Sequence, residues 1–366
     1  MEAFTHTLTN LDINVGDACN LRCIACPCWL VPTPTRLSPS VLIERLNDVF
    51  SYLERQCPNF EKVLIIGGEP FVHRGLNEFL LQQRFDIYIT VYTNLAVPIN
   101  RCDWPDNVHF ITSLDAADPE TYQRIRGANV YELTQQNMRK LGARIVHADT
   151  TVSRANLHQL SRIRQITEPL GCTHWFLPVD PRMLRYAGSD GDDADLHPKH
   201  ELVQTTREKL EEILLSPSDL DTVQDFYNQS GDHLTNDFAM FRGVYLSGLG
   251  HFEDLEEYSA QSKCHPPQYH EKHACPGIRK YMEITFAADG RMLPVVHCPE
   301  LRNILGMSNV SHRHTFPATG PAFEHFEDLF AWEVKERVRP ECRTFCGRTQ
   351  FLGVDEYMET FSAVTA

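Results

Sequence analysis

The sequence predicts an α/β fold on a parallel sheet, open or rolled into a barrel, and three observations predict it. Short β-rich runs alternate with helical spacings over about 180 residues. Helix starts carry recognisable caps, Ser38-Pro39 and Asp118-Pro119. Residues able to do chemistry fall at the C-terminal ends of the strands, where such folds gather their sites. Leu11–Val15 is a short strand that runs into a cysteine loop, and Pro39 opens a helix to about Gln56. Lys62–Ile66 is a β-rich run stopped by Gly67 and Gly68. Gly75–Phe85 has helical spacing, and Ile87–Tyr92 and Val108–Thr112 read as strands. A helix from Pro119, a helix Tyr131–Leu141, a strand Arg144–Val152, a helix Leu157–Thr167 and a strand Trp175–Val179 continue the pattern. Beyond Pro181 the alternation weakens. Tyr186–His197 is a polar, acidic linker, Glu201–Leu215 an amphipathic helix, and Asp219–Gly250 carries no readable pattern. Tyr281–Val296 reads as two strands joined at Asp289-Gly290.

At 366 residues the chain suits one large domain and a smaller one. With 23% charged and 42% hydrophobic residues it is globular in composition. A net charge of −15, from 34 basic and 49 acidic residues, argues against nucleic acid and against adhesion to an anionic membrane. No run approaches the ~18 apolar residues of a membrane span. The N-terminal segment lacks a basic stretch followed by an apolar core, so no signal peptide is expected there. Twelve cysteines without an export signal point to a reducing compartment, the cytoplasm, where clustered cysteines act as metal ligands or redox groups.

Cys19, Cys23 and Cys26 in the run CNLRCIAC lie at C-x3-C-x2-C spacing. Three thiolates on one loop can hold a cubane [4Fe–4S] cluster and leave one iron open to bind and activate something. A structural zinc site would want four ligands in paired spacings, and an odd triplet fits disulfides poorly. Coincidence is the remaining reading, given the high cysteine count.

CNLRCIAC (Cys19–Cys26), IIGGEP (Ile65–Pro70), YTN (Tyr92–Asn94) and SLDAADPETYQRIRG (Ser113–Gly127), in this order, resemble the radical S-adenosylmethionine (SAM) superfamily over about residues 10–180. The resemblance implies a partial (β/α)6, TIM-like barrel in residues 1–185. It implies a [4Fe–4S] cluster on Cys19, Cys23 and Cys26 whose open iron is chelated by SAM. An electron from that cluster then cleaves SAM to methionine and a 5′-deoxyadenosyl radical, which abstracts a substrate hydrogen. Gly67, Gly68, Glu69 and Pro70 match the segment that receives the SAM amino group. Asn94 is placed with the cofactor-binding set; Ser113 and Asp115 match positions facing the SAM ribose or carboxylate. Arg126 matches an arginine near the methionine carboxylate, with Arg124 as the other candidate. Ser153 and Arg154 end another strand and line the pocket in this reading. Read without the family, Gly67-Gly68 is a strand-ending turn, Asp115 a neighbour of a helix cap, and the two arginines solvated charges. A reducing electron donor such as flavodoxin or ferredoxin is implied as partner.

The C-terminal third carries Cys264, Cys275, Cys298, Cys342 and Cys346. A hairpin pinned by cysteines, a linker with Asn303 and Gly306, and a closing C-x3-C pair resemble the SPASM/twitch extension of these enzymes. The expected division is a helical linker or insertion over 186–262 and a small α+β, SPASM/twitch-like domain over 263–366. Too few cysteines surround the last pair for two clusters, so one auxiliary [4Fe–4S] cluster on Cys275, Cys298, Cys342 and Cys346 is implied, with Cys264 as the spare ligand. Zinc is the competing reading, since His265, His270, His273 and His297 lie among these cysteines. Cys28, Cys57, Cys102 and Cys172 read as small buried hydrophobes, with Cys172 also a candidate hydrogen donor to a substrate radical.

The expected reaction is a two-electron oxidation of a carbinol or amino-acid carbon, the second cluster accepting an electron. Modification of a ribosomal peptide, by thioether crosslinking or epimerisation, is the alternative within enzymes. Only about ten residues precede the first strand, so a fused peptide-recognition domain is not expected. A non-catalytic iron–sulfur or zinc protein is the alternative outside enzymes, and a sensor would have no use for a SAM pocket.

Overall fold

A computed structural model describes residues 8–26, 34–179, 208–209, 211–230, 238, 241–242, 245, 281–295 and 321–337. The elements in chain order are β1 (Asn10–Asn14), α1 (Pro39–Gln56), β2 (Lys62–Ile66), α2 (Arg74–Gln82), β3 (Tyr88–Thr93) and β4 (Val108–Ser113). There follow α3 (Pro119–Arg126), α4 (Tyr131–Leu141), β5 (Ile145–Val152), α5 (Leu160–Thr167) and β6 (Thr173–Pro178). Last come α6 (Pro217–Ser230), the hairpin β7 (Tyr281–Phe286) and β8 (Met292–Pro294), and α7 (Phe326–Arg337).

The strands form one mostly parallel sheet in the order β6-β5-β4-β3-β2-β1-β7-β8. Consecutive neighbours from β1 to β6 are parallel, the topology of repeated strand–helix crossovers. One crossover departs from that pattern. Residues 94–107 between β3 and β4 contain no helix, because Pro98 and Pro105 interrupt it. The buried Trp104 covers the sheet there instead, with its ring 4.9 Å from that of Phe110.

Elements form where their sequences dictate. In α1 the Ser38 hydroxyl accepts a hydrogen bond from the Val41 N–H, and Pro39 takes the first helical position. Leu42, Leu46, Val49, Phe50 and Leu53 recur at helical spacing and are buried against the sheet. That sheet face carries Leu11, Ile13, Val63, Ile65, Ile89, Val91, Phe110 and Phe176, each fully buried. Burying each such side chain contributes about 1.5–3 kcal/mol, so this helix-covered layer is the main apolar core.

The opposite face alternates with it at period two and is mixed, with Ile66, Ile111 and Trp175 buried on it beside polar residues. It carries Asp12, Asn14, Thr90, Tyr92, Ser113, His147, Asp149 and Glu283. Leu64, Tyr88, Tyr92, His109, Thr151, Thr173 and Leu177 on this face retain partial solvent exposure. Parallel sheets are normally covered by apolar side chains on both faces. This face departs from that rule, with polar and partly accessible positions among its apolar ones.

The hairpin turns at Asp289-Gly290 as its sequence indicates, with Gly290 at φ +85° and the Asp289 carboxylate accepting from the Arg291 N–H at 3.0 Å. Its position is new information. β7 pairs in parallel with β1, Asp12 opposite Glu283, so the hairpin continues the sheet beside the strand that feeds the cysteine loop. Cys28, Cys264, Cys275, Cys298, Cys342 and Cys346 lie outside the described residues, with the boundaries expected near 185 and 262. Among the described residues no helix is long and apolar enough to cross a membrane.

Candidate functional site

The parallel arrangement brings the loops after β1, β2, β3, β4 and β5 to one edge of the sheet. The loop after β1 carries the three cysteines, all partly exposed and none in a disulfide. Two neighbouring segments hold it. On one side the Gly68 N–H donates to the Gly16 carbonyl at 2.8 Å and the Glu69 N–H to that of Ala18 at 2.9 Å. A Cβ at Gly68 would lie 2.6 Å from the Ala18 carbonyl oxygen and closer still to that of Asp17. The second glycine of GGEP is therefore demanded by backbone-to-backbone contact with the cysteine loop.

On the other side, the end of α3 is bonded across Cys23. The Arg22 and Ile24 N–H groups donate to the carbonyls of Arg126 (3.2 Å) and Ile125 (2.9 Å). Gly127 ends the helix at φ +75°, and a Cβ there would stand 2.5 Å from the Arg22 carbonyl oxygen. Gly127→Ala should accordingly destabilise the protein by about 2 kcal/mol. Urea denaturation checks the size, and faster alkylation of Cys23 than in the parent protein checks that the damage reaches this loop.

Glu69 is fully buried, and both its oxygens are engaged. One accepts from the Thr93 hydroxyl at 2.7 Å and the Phe71 N–H at 3.1 Å, the other from the Asn94 N–H at 2.7 Å. The carboxyl thus fastens the end of β2 to the end of β3. Burial pushes its pKa up to about 7 in spite of these donors. Asn94 carries the connection onward: its side-chain N–H2 donates to Asn20 Oδ1 at 2.9 Å and approaches Cys19 Sγ at 3.9 Å. Asn20 in turn donates to the Ala96 carbonyl at 2.8 Å.

Asp115 and Arg126 form a buried ion pair, Oδ2 to Nε 2.6 Å. The Thr151 N–H binds the other Asp115 oxygen at 2.8 Å, and Arg126 Nη1 approaches Cys23 Sγ at 3.8 Å. Arg124 is excluded from this role, because it is exposed and pairs with Glu212 at 3.9 Å. Ser113 bonds Tyr92 through the two hydroxyls at 3.1 Å. Tyr92 also donates to Asp149 at 2.7 Å, whose other oxygen meets His147 Nε2 at 2.9 Å. Asp149 is held below the usual carboxylate range by His147 and Tyr92, which outweigh its burial. Ser153 is buried with its hydroxyl turned to Asn156 Oδ1 at 3.3 Å. Asn156 also donates to the Asp115 carbonyl at 2.8 Å, so Ser153 adjoins the ion pair. Arg154 points outward to Asp219.

Thus Gly67, Gly68, Glu69, Pro70, Asn94, Ser113, Asp115, Arg126 and Ser153 share one edge with Cys19, Cys23 and Cys26. Cys172 does not. It precedes β6, at the N-terminal edge of a strand parallel to the others, with its thiol packed against the apolar core and pushed up to about 11 by burial. The strand direction thus puts Cys172 at the opposite edge of the sheet from the cysteine loop. Residues given no role by the sequence are Asn20 and Tyr92, which lie inside quoted motifs, and His147, Asp149 and Asn156, which lie outside them. The signal that points to His147 and Asp149 is a polar residue at every second place in IVHADTTV, in a strand buried on both faces.

The donor set fits an iron–sulfur cluster. Three unbridged thiols share one loop, and N–H groups of Leu21 (3.4 Å) and Asn94 stand at the Cys19 sulfur and a guanidinium at that of Cys23. Burial pushes the Cys19 thiol up to about 11 and Cys23 to about 12, so the thiolates need the positive charge that iron would bring. Among the described residues no three His, Cys, Asp or Glu side chains gather as ligands of a single ion. A cubane takes one cysteine per iron and does not ask them to meet at one point.

Comparison with known proteins gives one family match: residues 13–155 match the model of the Radical SAM superfamily. No curated protein matches the chain. Among solved structures, the chain is similar to Streptococcus suis SuiB bound to S-adenosylmethionine, with 14% identity, TM-score 0.46 and coverage of 80% of this chain and 61% of that one. It is also similar to coproporphyrinogen III oxidase (HemN) from Escherichia coli, a radical SAM enzyme, with 12% identity, TM-score 0.38 and coverage of 63% of this chain and 55% of that one. The chain thus spans about three fifths of the length of these two structures.

Proposed function

We propose that residues 13–155, which match the model of the Radical SAM superfamily, form a radical SAM domain with a [4Fe–4S] cluster and SAM, and that the protein is an oxidoreductase acting on a polar small molecule. Cys19, Cys23 and Cys26 would hold the cluster, and Gly67–Pro70, Asn94, Ser113, Asp115, Arg126 and Ser153 would surround SAM. When bound, the reduced cluster would supply the one electron that cleaves SAM to methionine and a 5′-deoxyadenosyl radical, able to take a hydrogen atom from a carbinol or amino-acid carbon. The observation carrying the proposal is the convergence of the cysteine loop and four further strand ends on one edge, above a sheet face that carries polar groups.

The chain's own residues divide the work. Glu69 and Asn94 fix the cysteine loop against β3. Tyr92, Ser113, His147 and Asp149 place hydroxyl, imidazole and carboxylate groups on the second sheet face, which in this proposal favours a substrate rich in hydroxyls or amines. Oxidation of a carbinol carbon also releases one proton and one further electron after hydrogen abstraction. The electron acceptor in this proposal is an auxiliary [4Fe–4S] cluster on Cys275, Cys298, Cys342 and Cys346, with Cys264 as spare, in a C-terminal SPASM/twitch-like domain. An external donor such as flavodoxin or ferredoxin would supply the first electron.

Anaerobic reconstitution tests both levels. Two cubane clusters correspond to about eight irons per chain, and dithionite with SAM should then yield 5′-deoxyadenosine. About four irons with SAM cleavage intact removes the auxiliary cluster; absence of SAM cleavage from loaded protein removes the enzyme.

A further inference from the structure

Arg126 is placed differently from any other cation among the described residues. It is buried at the last position of α3, its carbonyl accepts from Arg22, and its guanidinium reaches the sulfur of the intervening Cys23. Among the described residues the donors at Cys19 are neutral, the Leu21 N–H and the Asn94 amide. The charge is also held firmly. Asp115 grips Nε, the Thr151 N–H pins the far oxygen of that carboxylate, and Asn156 fastens the Asp115 carbonyl. Reduction adds an electron to the sulfurs and iron together, so a fixed cation at a ligand sulfur favours the reduced form and a nearby anion opposes it. Burial leaves little water to screen either effect.

We propose that Asp115 and Arg126 are a potential-setting pair, in which Arg126 raises the reduction potential of the cluster held by Cys23 and Asp115 fixes the guanidinium there and offsets its charge. The proposal rests on the cluster reading above and goes beyond a role for Arg126 in binding SAM. Both are positioning residues, acting on the electron through a cysteine sulfur.

The test is an EPR-monitored redox titration of reconstituted protein without SAM. To isolate one signal, the C-terminal Cys342 and Cys346 are replaced by Ala in every protein compared. Arg126→Gln should lower the midpoint by a tenfold change in the reduction equilibrium, about 59 mV for one electron. Asp115→Asn should raise it by a similar factor, and Arg126→Lys, which keeps the charge, should return most of the loss. Opposite signs for two halves of one ion pair separate electrostatic tuning from mere structural support, which would move both variants the same way. If Arg126→Gln fails to take up iron, Asp115→Asn and Arg126→Lys still decide the matter. Midpoints unchanged in the loaded variants, or shifted in one common direction, overturn the proposal. Parent protein that forms no cluster at all overturns the cluster reading instead.

Discussion

Replacing Cys23 by Ala should reduce 5′-deoxyadenosine formation to the level seen without enzyme, while the protein stays folded. Three thiolates are the minimum that leaves a cubane with one open iron, so the loss of one removes a ligand and not a contact. The structure says why Cys23 is the informative choice. It lies between Arg22 and Ile24, both hydrogen-bonded to the end of α3, so the loop backbone stays fastened when the sulfur is removed. The thiol-to-methyl change should cost stability about 1 kcal/mol. Cys57→Ala is the matched control: Cys57 is equally a free thiol, buried at the end of α1, and its N–H bond to Leu53 needs no side chain. Iron content, SAM cleavage and the urea midpoint should separate the two variants in the first two measurements only. Full SAM cleavage by the Cys23→Ala protein would show that the triplet is not the cluster site.

How much of this was legible beforehand depended on the kind of signal each residue leaves. The strands from β1 to β6 announce themselves by β-rich runs of five to eight residues with caps and glycines between them, and their bounds agree within about two residues. The cysteine loop, GGEP and SLD segments were readable because their chemistry is written in consecutive residues. Arg126 could be named but not chosen over Arg124, since helical phase at the end of a short helix decides which arginine turns inward. The polar groups on the second sheet face were missed for a different reason. Tyr92, Ser113 and the His147–Asp149 pair come from three strands, and only the register of β3, β4 and β5 makes neighbours of them. For Gly68 the sequence offers a strand-ending turn or a place in the segment that receives the SAM amino group, and the structure adds a close approach of the cysteine loop's own backbone. The hairpin was found at its turn residues, while its partner strand, β1, lies some 270 residues away and leaves no local trace.

Glu69→Gln should produce a stability difference that changes with pH, because the carboxyl it replaces is buried and shifted. Raising a carboxyl from 4.5 to about 7 means that folding ionised Glu69 costs about 3 kcal/mol more than folding its protonated form. The sign follows from proton counting. Between pH 4.5 and about 7 the folded protein binds this proton and the unfolded chain does not, so the contribution to stability falls as pH rises through that window. Glutamine cannot titrate, and one of its two ends presents N–H2 to donors that now meet oxygens, at a cost of about 1–3 kcal/mol. At pH 5 the variant should therefore be less stable than the parent by about that amount, and by pH 8 the gap should close or reverse, a swing of about 2–3 kcal/mol. Paired urea titrations at the two pH values measure it, and taking the difference between proteins cancels the other titrating groups. A gap that stays constant across this range would mean that Glu69 is ionised throughout and that its three donors outweigh burial. The same variant has a functional readout. Glu69 holds Asn94, Asn94 holds Asn20, and Asn20 lies beside Cys19, so loosening the clamp at pH 5 should expose Cys19 to alkylation ahead of Cys23, which α3 holds independently.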